Sequence, residues 1–207
     1  MIPPAAWHDL LRQGVRREYR ACERLLVQGA PETGLRLLTV GRVGVVYGSE
    51  DGKVVLLALR GAGDALGELA SRGDGRRSAS VVALENCEAY SVAATTFHRV
   101  IMAHGVRHQL DRYIADKLTE AAVASIDLAH LTPARRLARL LTKLVELAEP
   151  DHPAPLRIPL SQSRLAVLLG ISRGLVSKLV AHLRDSGVLT HERHLVVRDA
   201  EHLKRQC

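Results

Sequence analysis

Ser161-Gln-Ser-Arg-Leu-Ala-Val-Leu-Leu-Gly-Ile-Ser-Arg-Gly-Leu-Val-Ser-Lys-Leu-Val-Ala-His-Leu183 is the stretch whose reading decides the architecture. It reads as two short helices around a tight corner. Ser161 and Ser172 each stand where a hydroxyl can accept from a first-turn N–H. Gly170 supplies the residue that tolerates a left-handed corner, and Ala166 is small where the helices would touch. Leu165, Leu169, Val176 and Leu179 offer a shared core. This is the pattern of a helix-turn-helix, whose second helix fits a DNA major groove and presents its first turn to base edges. Here that turn holds Arg173, Gly174, Ser177 and Lys178. Arg173 can grip guanine O6 and N7 together, and Lys178 can reach a base or a phosphate.

Working outward, Ser186-Gly187 reads as a turn, and Val188–Thr190 with Leu195–Val197 as a two-stranded wing. Its tip, His191-Glu-Arg-His194, would ride on the phosphate backbone. Charge supports the placement. Of a formal net +7 over 207 residues, residues 131–207 carry 13 basic and seven acidic side chains, whereas residues 1–130 carry 16 and 15. Such asymmetry suits a near-neutral module followed by one that meets a polyanion; a merely solvated basic face gives the same count.

Upstream, Thr132-Pro133 marks a helix start and a joint near Ala129–Leu131. Before the joint, Val106, Leu110, Ile114, Leu118, Ala121, Ser125 and Leu128 recur at steps of four and three, drawing one apolar stripe along a helix of about 25 residues. Two readings of the stripe stand open: a seam with a second copy, or a helix lying on its own barrel. Earlier still, from about Glu23, runs at Arg36–Val40, Val43–Tyr47, Val54–Leu59, Ser80–Leu84 and Glu88–Val92 are cut by Gly-containing breaks, including Gly73-Asp-Gly75. They predict a small antiparallel barrel or sandwich, with Asp51-Gly52 as a hairpin turn.

Several classes are excluded or disfavoured. Nearly half the residues are hydrophobic (47%) and only 25% charged, which excludes a disordered tail. No apolar run approaches the roughly 18 residues of a membrane span, and no secretory signal is visible, so a soluble, cytoplasmic protein is expected. The three cysteines, Cys22, Cys87 and Cys207, form no metal-ligand spacing and read as buried or terminal thiols. No catalytic order, metal cluster or P-loop points to an enzyme.

One further stretch carries chemistry: Gly61-Ala-Gly-Asp-Ala-Leu-Gly-Glu-Leu69, then Arg76-Arg-Ser-Ala-Ser80. Gly67 lets the backbone approach a ligand, Glu68 can accept from a sugar hydroxyl, and Arg77 with Ser78 can hold a phosphate. The alternative leaves Arg77 as a surface arginine pairing with Glu68 or Asp74 beside an empty pocket. With the strands, the long helix and the helix-turn-helix, this chain resembles the CRP/FNR family of bacterial transcription regulators, closest in pattern to its actinobacterial members. The resemblance runs from about Tyr19 to Val197 and takes in Gly41-Arg-Val-Gly-Val45 and Gly63-Asp64.

That resemblance implies an α+β fold: a cyclic-nucleotide-binding β-roll sensor (1–103), a dimerisation helix and hinge (104–131) and a winged helix-turn-helix (132–207). It implies a homodimer on a pseudo-palindromic site in double-stranded DNA, contact with RNA polymerase, no membrane partner and a place on the nucleoid. Gly67, Glu68, Leu69, Arg77, Ser78 and Ala79 inherit the effector-contacting positions for cAMP or another cyclic nucleotide. Ser161, Gln162, Ser172, Arg173, Gly174, Ser177, Lys178, Arg193 and His194 inherit the DNA-facing ones.

The chain also departs from the family. Adjacent Thr and Ser that hydrogen-bond adenine in the cAMP receptor fall on Ala121 and Ala122, which have no polar side-chain atom, unless the register slips and brings in Ser125 or Thr119. The Leu69–Arg77 loop looks one residue short. Gly174 replaces a glutamate that would accept from cytosine N4, so the preferred site should differ from TGTGA half-sites. Cys22 alone cannot supply an iron–sulfur cluster, and His98 or His104 reads as a solvated surface group rather than a haem ligand, so no metal, haem or cluster is expected. The rival reading is a constitutive DNA-binding or chromosome-organising protein with a degenerate pocket.

Overall fold

The computed structural model describes residues 2–31, 33–69 and 75–207, apart from the side chain of Leu128. Expectations that involve Gly73, Asp74, the length of the Leu69–Arg77 loop or the Leu128 side chain lie outside the described residues. A first helix α1 (Pro4–Gln13) leads into β1 (Val15–Tyr19), β2 (Arg24–Leu26), β3 (Leu35–Val40), β4 (Val43–Gly48), β5 (Val54–Arg60), β6 (Ala65–Leu66), β7 (Ser80–Ala83) and β8 (Cys87–Val92). Helices α2 (Ala94–Ala103), α3 (Arg107–His130), α4 (Pro133–Glu146), α5 (Gln162–Leu169), α6 (Arg173–Asp185) and α7 (Ala200–Arg205) complete the chain. The result is the expected α+β fold, an N-terminal β-roll ahead of a C-terminal helix-turn-helix.

The strands form two four-stranded antiparallel sheets, ordered β1-β8-β3-β6 and β2-β7-β4-β5. Strand β3 shows how sequence dictates the layers. Its period of two sends Leu35 and Leu37 toward α1, α2 and the start of α3, and Leu38 between the sheets. All three are wholly buried, and each contributes about 1.5–3 kcal/mol. The apolar run is near-continuous because both faces are covered. The β4–β5 hairpin turns at Gly52, with φ of 80°, as the Asp51-Gly52 pair predicts.

Strand β1, which precedes the expected barrel, was not legible. Its residues are Val15-Arg-Arg-Glu-Tyr19, nearly all exposed. It holds its place through backbone pairing with β8 and an Arg16–Glu88 ion pair rather than through burial. The cysteine expectation also needs correction. Cys87 is buried and Cys207 is near-terminal, but Cys22 is exposed, at φ of 76°, with its Sγ accepting from Arg164 at 2.8 Å.

Of the two open readings of the long-helix stripe, a helix lying on its own barrel holds for the first half. Val106, Leu110 and Ile114 are buried against the roll with α1 and α2, so they form intramolecular core. Beyond them apolar side chains come to the surface: Leu118 on the stripe, and Val123 and Ile126 beside it, are 54%, 48% and 59% exposed. Thr132 then caps α4, its Oγ1 accepting from Arg135 N–H. No single helix among the described residues is long and apolar enough to cross a membrane.

The C-terminal unit packs Leu137, Leu141 and Leu144 of α4 against Leu165 and Leu169 of α5, Val176 and Val180 of α6, and Leu203 of α7. Leu59 and Leu84 of the roll join the same cluster. A buried cation closes this junction. Arg42, 1% exposed, donates to both Glu85 carboxylate oxygens (2.6 and 2.8 Å), to Leu144 O and to Arg157 O. His152 Nε2 lies 3.2 Å from Glu85. Burial pushes the Glu85 carboxyl upward, but Arg42 and then His152 outweigh it and hold the group below its ordinary value.

Candidate functional site

The quoted stretch folds as its caps require. Ser161 Oγ accepts from Arg164 N–H at 3.3 Å and Ser172 Oγ from Leu175 N–H at 3.2 Å. Gly170 takes a left-handed φ of 63° between them, and α5 and α6 meet at 114°. Leu165, Ala166, Leu169 and Val176 are buried in the shared core. Because the corner fixes the second helix, its first turn is presented as a rigid unit: Ser172, Arg173, Gly174, Ser177 and Lys178 are all exposed. Ser177 Oγ donates to Gln162 Oε1 at 2.9 Å, tying the polar side of α6 to the start of α5. Ser161 is exposed beside it.

The wing is shorter than a two-stranded ribbon. Leu189 pairs with Val197 and Arg157 with Val196 as single bridges. The backbone bonds Thr190 N–H to Val196 O and Ile158 N–H to Leu195 O draw in the segment before α5 as a third piece. Arg193 and His194 are exposed at the tip, where His194 Nδ1 lies 3.3 Å from an Arg157 Nη. Arg173, Lys178 and Arg193 have no ion-pair or hydrogen-bond partner among the described residues. Groups held that way keep their full charge for an external polyanion.

The second feature is a cavity of about 130 Å³ between the roll and α3, about ten times the space that one water needs. Gly67, Glu68, Leu69, Arg77, Ser78 and Ala79 all line it, with Ala121 of α3. Two lining residues, Arg60 and Lys117, were not singled out from sequence. A signal existed for each: Arg60 ends an apolar strand, and Lys117 stands one turn before Ala121 on the same helix face. Ala122 is exposed rather than lining the cavity.

Its charges are internally matched. Arg77, 5% exposed, is no surface arginine; it donates to Gly67 O at 2.7 Å and to Gly34 O. Gly67, at φ of 89°, is needed for this packing, since a Cβ there would strike the Arg77 guanidinium. Glu68, also 5% exposed, pairs with Lys117 Nζ at 2.9 Å. The same ammonium donates to Ala65 O at 2.6 Å and sits 4.4 Å from the Tyr113 ring centre. Burial pushes the Lys117 ammonium below the ordinary lysine value, against the pull of Glu68 and Asp64. Tyr113 donates to Asp64 at 2.6 Å, and burial with that carboxylate raises the phenol above its ordinary value, keeping it a donor. Arg60 donates to Glu120 of α3 at 2.7 Å.

Comparison with known proteins agrees with both features. The family model described as "Cyclic nucleotide-binding domain" matches residues 16–104, and that described as "Crp-like helix-turn-helix domain" matches 135–206. The chain is 27% identical over 186 residues to the cAMP-activated global transcriptional regulator CRP of Salmonella typhimurium, covering 87% of this chain and 88% of that one. It is 26% identical over 188 residues to the cAMP-activated global transcriptional regulator Vfr of Pseudomonas aeruginosa, covering 87% of each. The fold matches the c-di-GMP-responsive global regulator CLP of Xanthomonas campestris with a TM-score of 0.74 at 20% identity, over 95% of this chain and all of that one. A nucleotide-binding-type roll and a Crp-type reading head thus follow one another in a single chain, which belongs to the CRP/FNR family of DNA-binding transcription regulators.

Proposed function

We propose that two copies of this chain bind a pseudo-palindromic DNA site, each inserting the first turn of α6 into successive major grooves. The observation that carries this is the exposed, partner-free cation set Arg173, Lys178 and Arg193 on a rigid corner. In this reading Arg173 reads guanine, while Gly174 leaves its neighbouring position without a carboxylate readout. Arg193 and His194 position the wing on phosphates, as Ser161, Gln162, Ser172 and Ser177 do near the groove edge. The exposed apolar half of α3, with Leu118, Val123 and Ile126, forms the seam between protomers. The working units are residues 1–103, 104–131 and 132–207. The protein acts in the cytoplasm on the nucleoid, engages RNA polymerase and is not an enzyme.

The cavity beside Glu68 and Arg77 takes a small anionic effector, with cyclic nucleotides as the first class to test, since two relatives are described as cAMP-activated. Glu68 would accept a sugar hydroxyl, Arg77 and Ser78 would hold the phosphate, and Gly67, Leu69 and Ala79 would shape the wall. An effector controls DNA binding only if it prefers one arrangement of α3 and α4 over another. Fluorescence anisotropy on a duplex selected by the native protein from a random pool, with and without cAMP or cGMP, tests this. A change in affinity of about fivefold or more is expected. No detectable nucleotide binding and unchanged DNA affinity would reject nucleotide control and leave a constitutive DNA-binding protein.

A further inference from the structure

Ala121 and Ala122 offer no polar side-chain atom through which a base could pull on the long helix, so an occupied cavity needs another route to the reading head. We propose that Glu120 is that coupling residue, shared between Arg60 of the cavity wall and Lys143 of α4. Arg60 lines the cavity, and its side chain is 8% exposed. Its Nη1 donates to Leu59 O at 2.8 Å and to Glu120 Oε2 at 2.7 Å. The other Glu120 oxygen lies 3.6 Å from Lys143 Nζ. Arg60 and Lys117 also line a second cavity of about 200 Å³, with Asp64, Glu120, Lys143 and Leu147. The two cations therefore form the partition between the cavity and the junction of roll, long helix and α4. The chain Arg60–Glu120–Lys143 touches all three.

The mechanism is an exchange of partners. Arg60 is nearly buried, so its charge must be neutralised, and Glu120 does so. With the phosphate at Arg77, an acceptor on the rest of the ligand beside Arg60 competes with Glu120 for that guanidinium. Glu120 then loses its stronger partner and moves to Lys143, drawing α3 and α4 together at the joint after His130. Glu120 and Lys143 side chains are 41% and 44% exposed, so their pair is only modestly favoured and the exchange is reversible.

Two arms test this on the full-length protein, both reading affinity for the selected duplex. Without nucleotide, Glu120→Gln and Lys143→Met should each shift affinity about threefold in the same direction, the size that an exposed pair supports. The double variant should equal Glu120→Gln alone, because without that carboxylate Lys143 has no link left to lose. Effects that multiply, or neither above about 1.5-fold in proteins that melt normally, would overturn the assignment. If E120Q melts early, Glu120→Asp keeps the carboxylate and should restore native affinity; failure to restore it counts against the proposal.

The second arm adds cAMP and rests on the effector reading above. E120Q should bind cAMP within about threefold of native while its DNA response falls from about tenfold to under twofold. Full retention of the response in E120Q would overturn Glu120 as the coupling residue. If cAMP binds neither protein, the nucleotide reading fails, and the ligand-free arm alone decides on Glu120.

Discussion

The reading head and the cavity both rely on cations, and they hold them in opposite ways. On α6 and the wing, Arg173, Lys178 and Arg193 are exposed and without partners among the described residues. Around the cavity, Arg77 is held by two backbone carbonyls, Lys117 by Glu68 and Arg60 by Glu120. The difference follows from what each must meet. A polyanion with a condensed counterion atmosphere is met best by solvated, unpaired charge. A buried cation costs several kcal/mol unless neutralised, so the fold supplies its own anions and carbonyls. Removing an exposed cation should therefore change DNA binding without touching stability, and removing a buried one should lower stability.

The largest expected effect is at Arg42, whose buried guanidinium ties Glu85 to Leu144 O and Arg157 O. Arg42→Met should cost about 3–5 kcal/mol in chemical denaturation, because Glu85 keeps its charge and loses its main partner. Since Glu85 is held below the ordinary 4.5, the junction is stabilised above that pH and weakens as the pH falls through the lower folded value. In R42M this acid sensitivity should diminish. Gly67→Ala comes next, at about 1–3 kcal/mol, since the left-handed backbone and the Arg77 guanidinium both oppose a Cβ. An unchanged melting temperature in G67A would mean that Arg77 is not held where the geometry puts it.

On the exposed side, Arg173→Ala should lose about 1–3 kcal/mol of discrimination between the selected duplex and one altered at the contacted guanine, with native melting behaviour. The smallest effect is at the wing: Arg193→Ala should weaken all duplexes alike. Equal loss of discrimination from both variants would contradict the division between base reading and phosphate positioning.

How much of this was legible in the sequence follows the same line. Ser161, Gly170, Ser172 and Thr132 act through local rules of capping and handedness, and the structure places all four as those rules require. The strands with apolar alternation were also readable. Strand β1 was not, because an edge strand of Arg, Arg and Glu is held by a partner that only tertiary structure brings near. Lys117 and Arg60 were missed for a related reason. The strand-end place of Arg60 and the helix face that Lys117 shares with Ala121 mark where these cations sit, but long-range pairing decides whether they are solvated or buried. The apolar stripe of α3 left two readings open, since periodicity states which face is apolar but not which surface covers it.

The contrast between exposed and buried cations is tested most directly by the salt dependence of DNA binding. Log affinity for the selected duplex should be measured against log salt concentration for native protein, R193A and Lys117→Met. R193A should flatten the slope by about one unit per protomer, because each lost phosphate contact releases one fewer counterion. K117M, whose charge is already spent on Glu68, should keep the native slope even if its overall affinity moves. A slope flattened equally in K117M would show the cavity's charge reaching DNA, and the separation between the two regions would not stand.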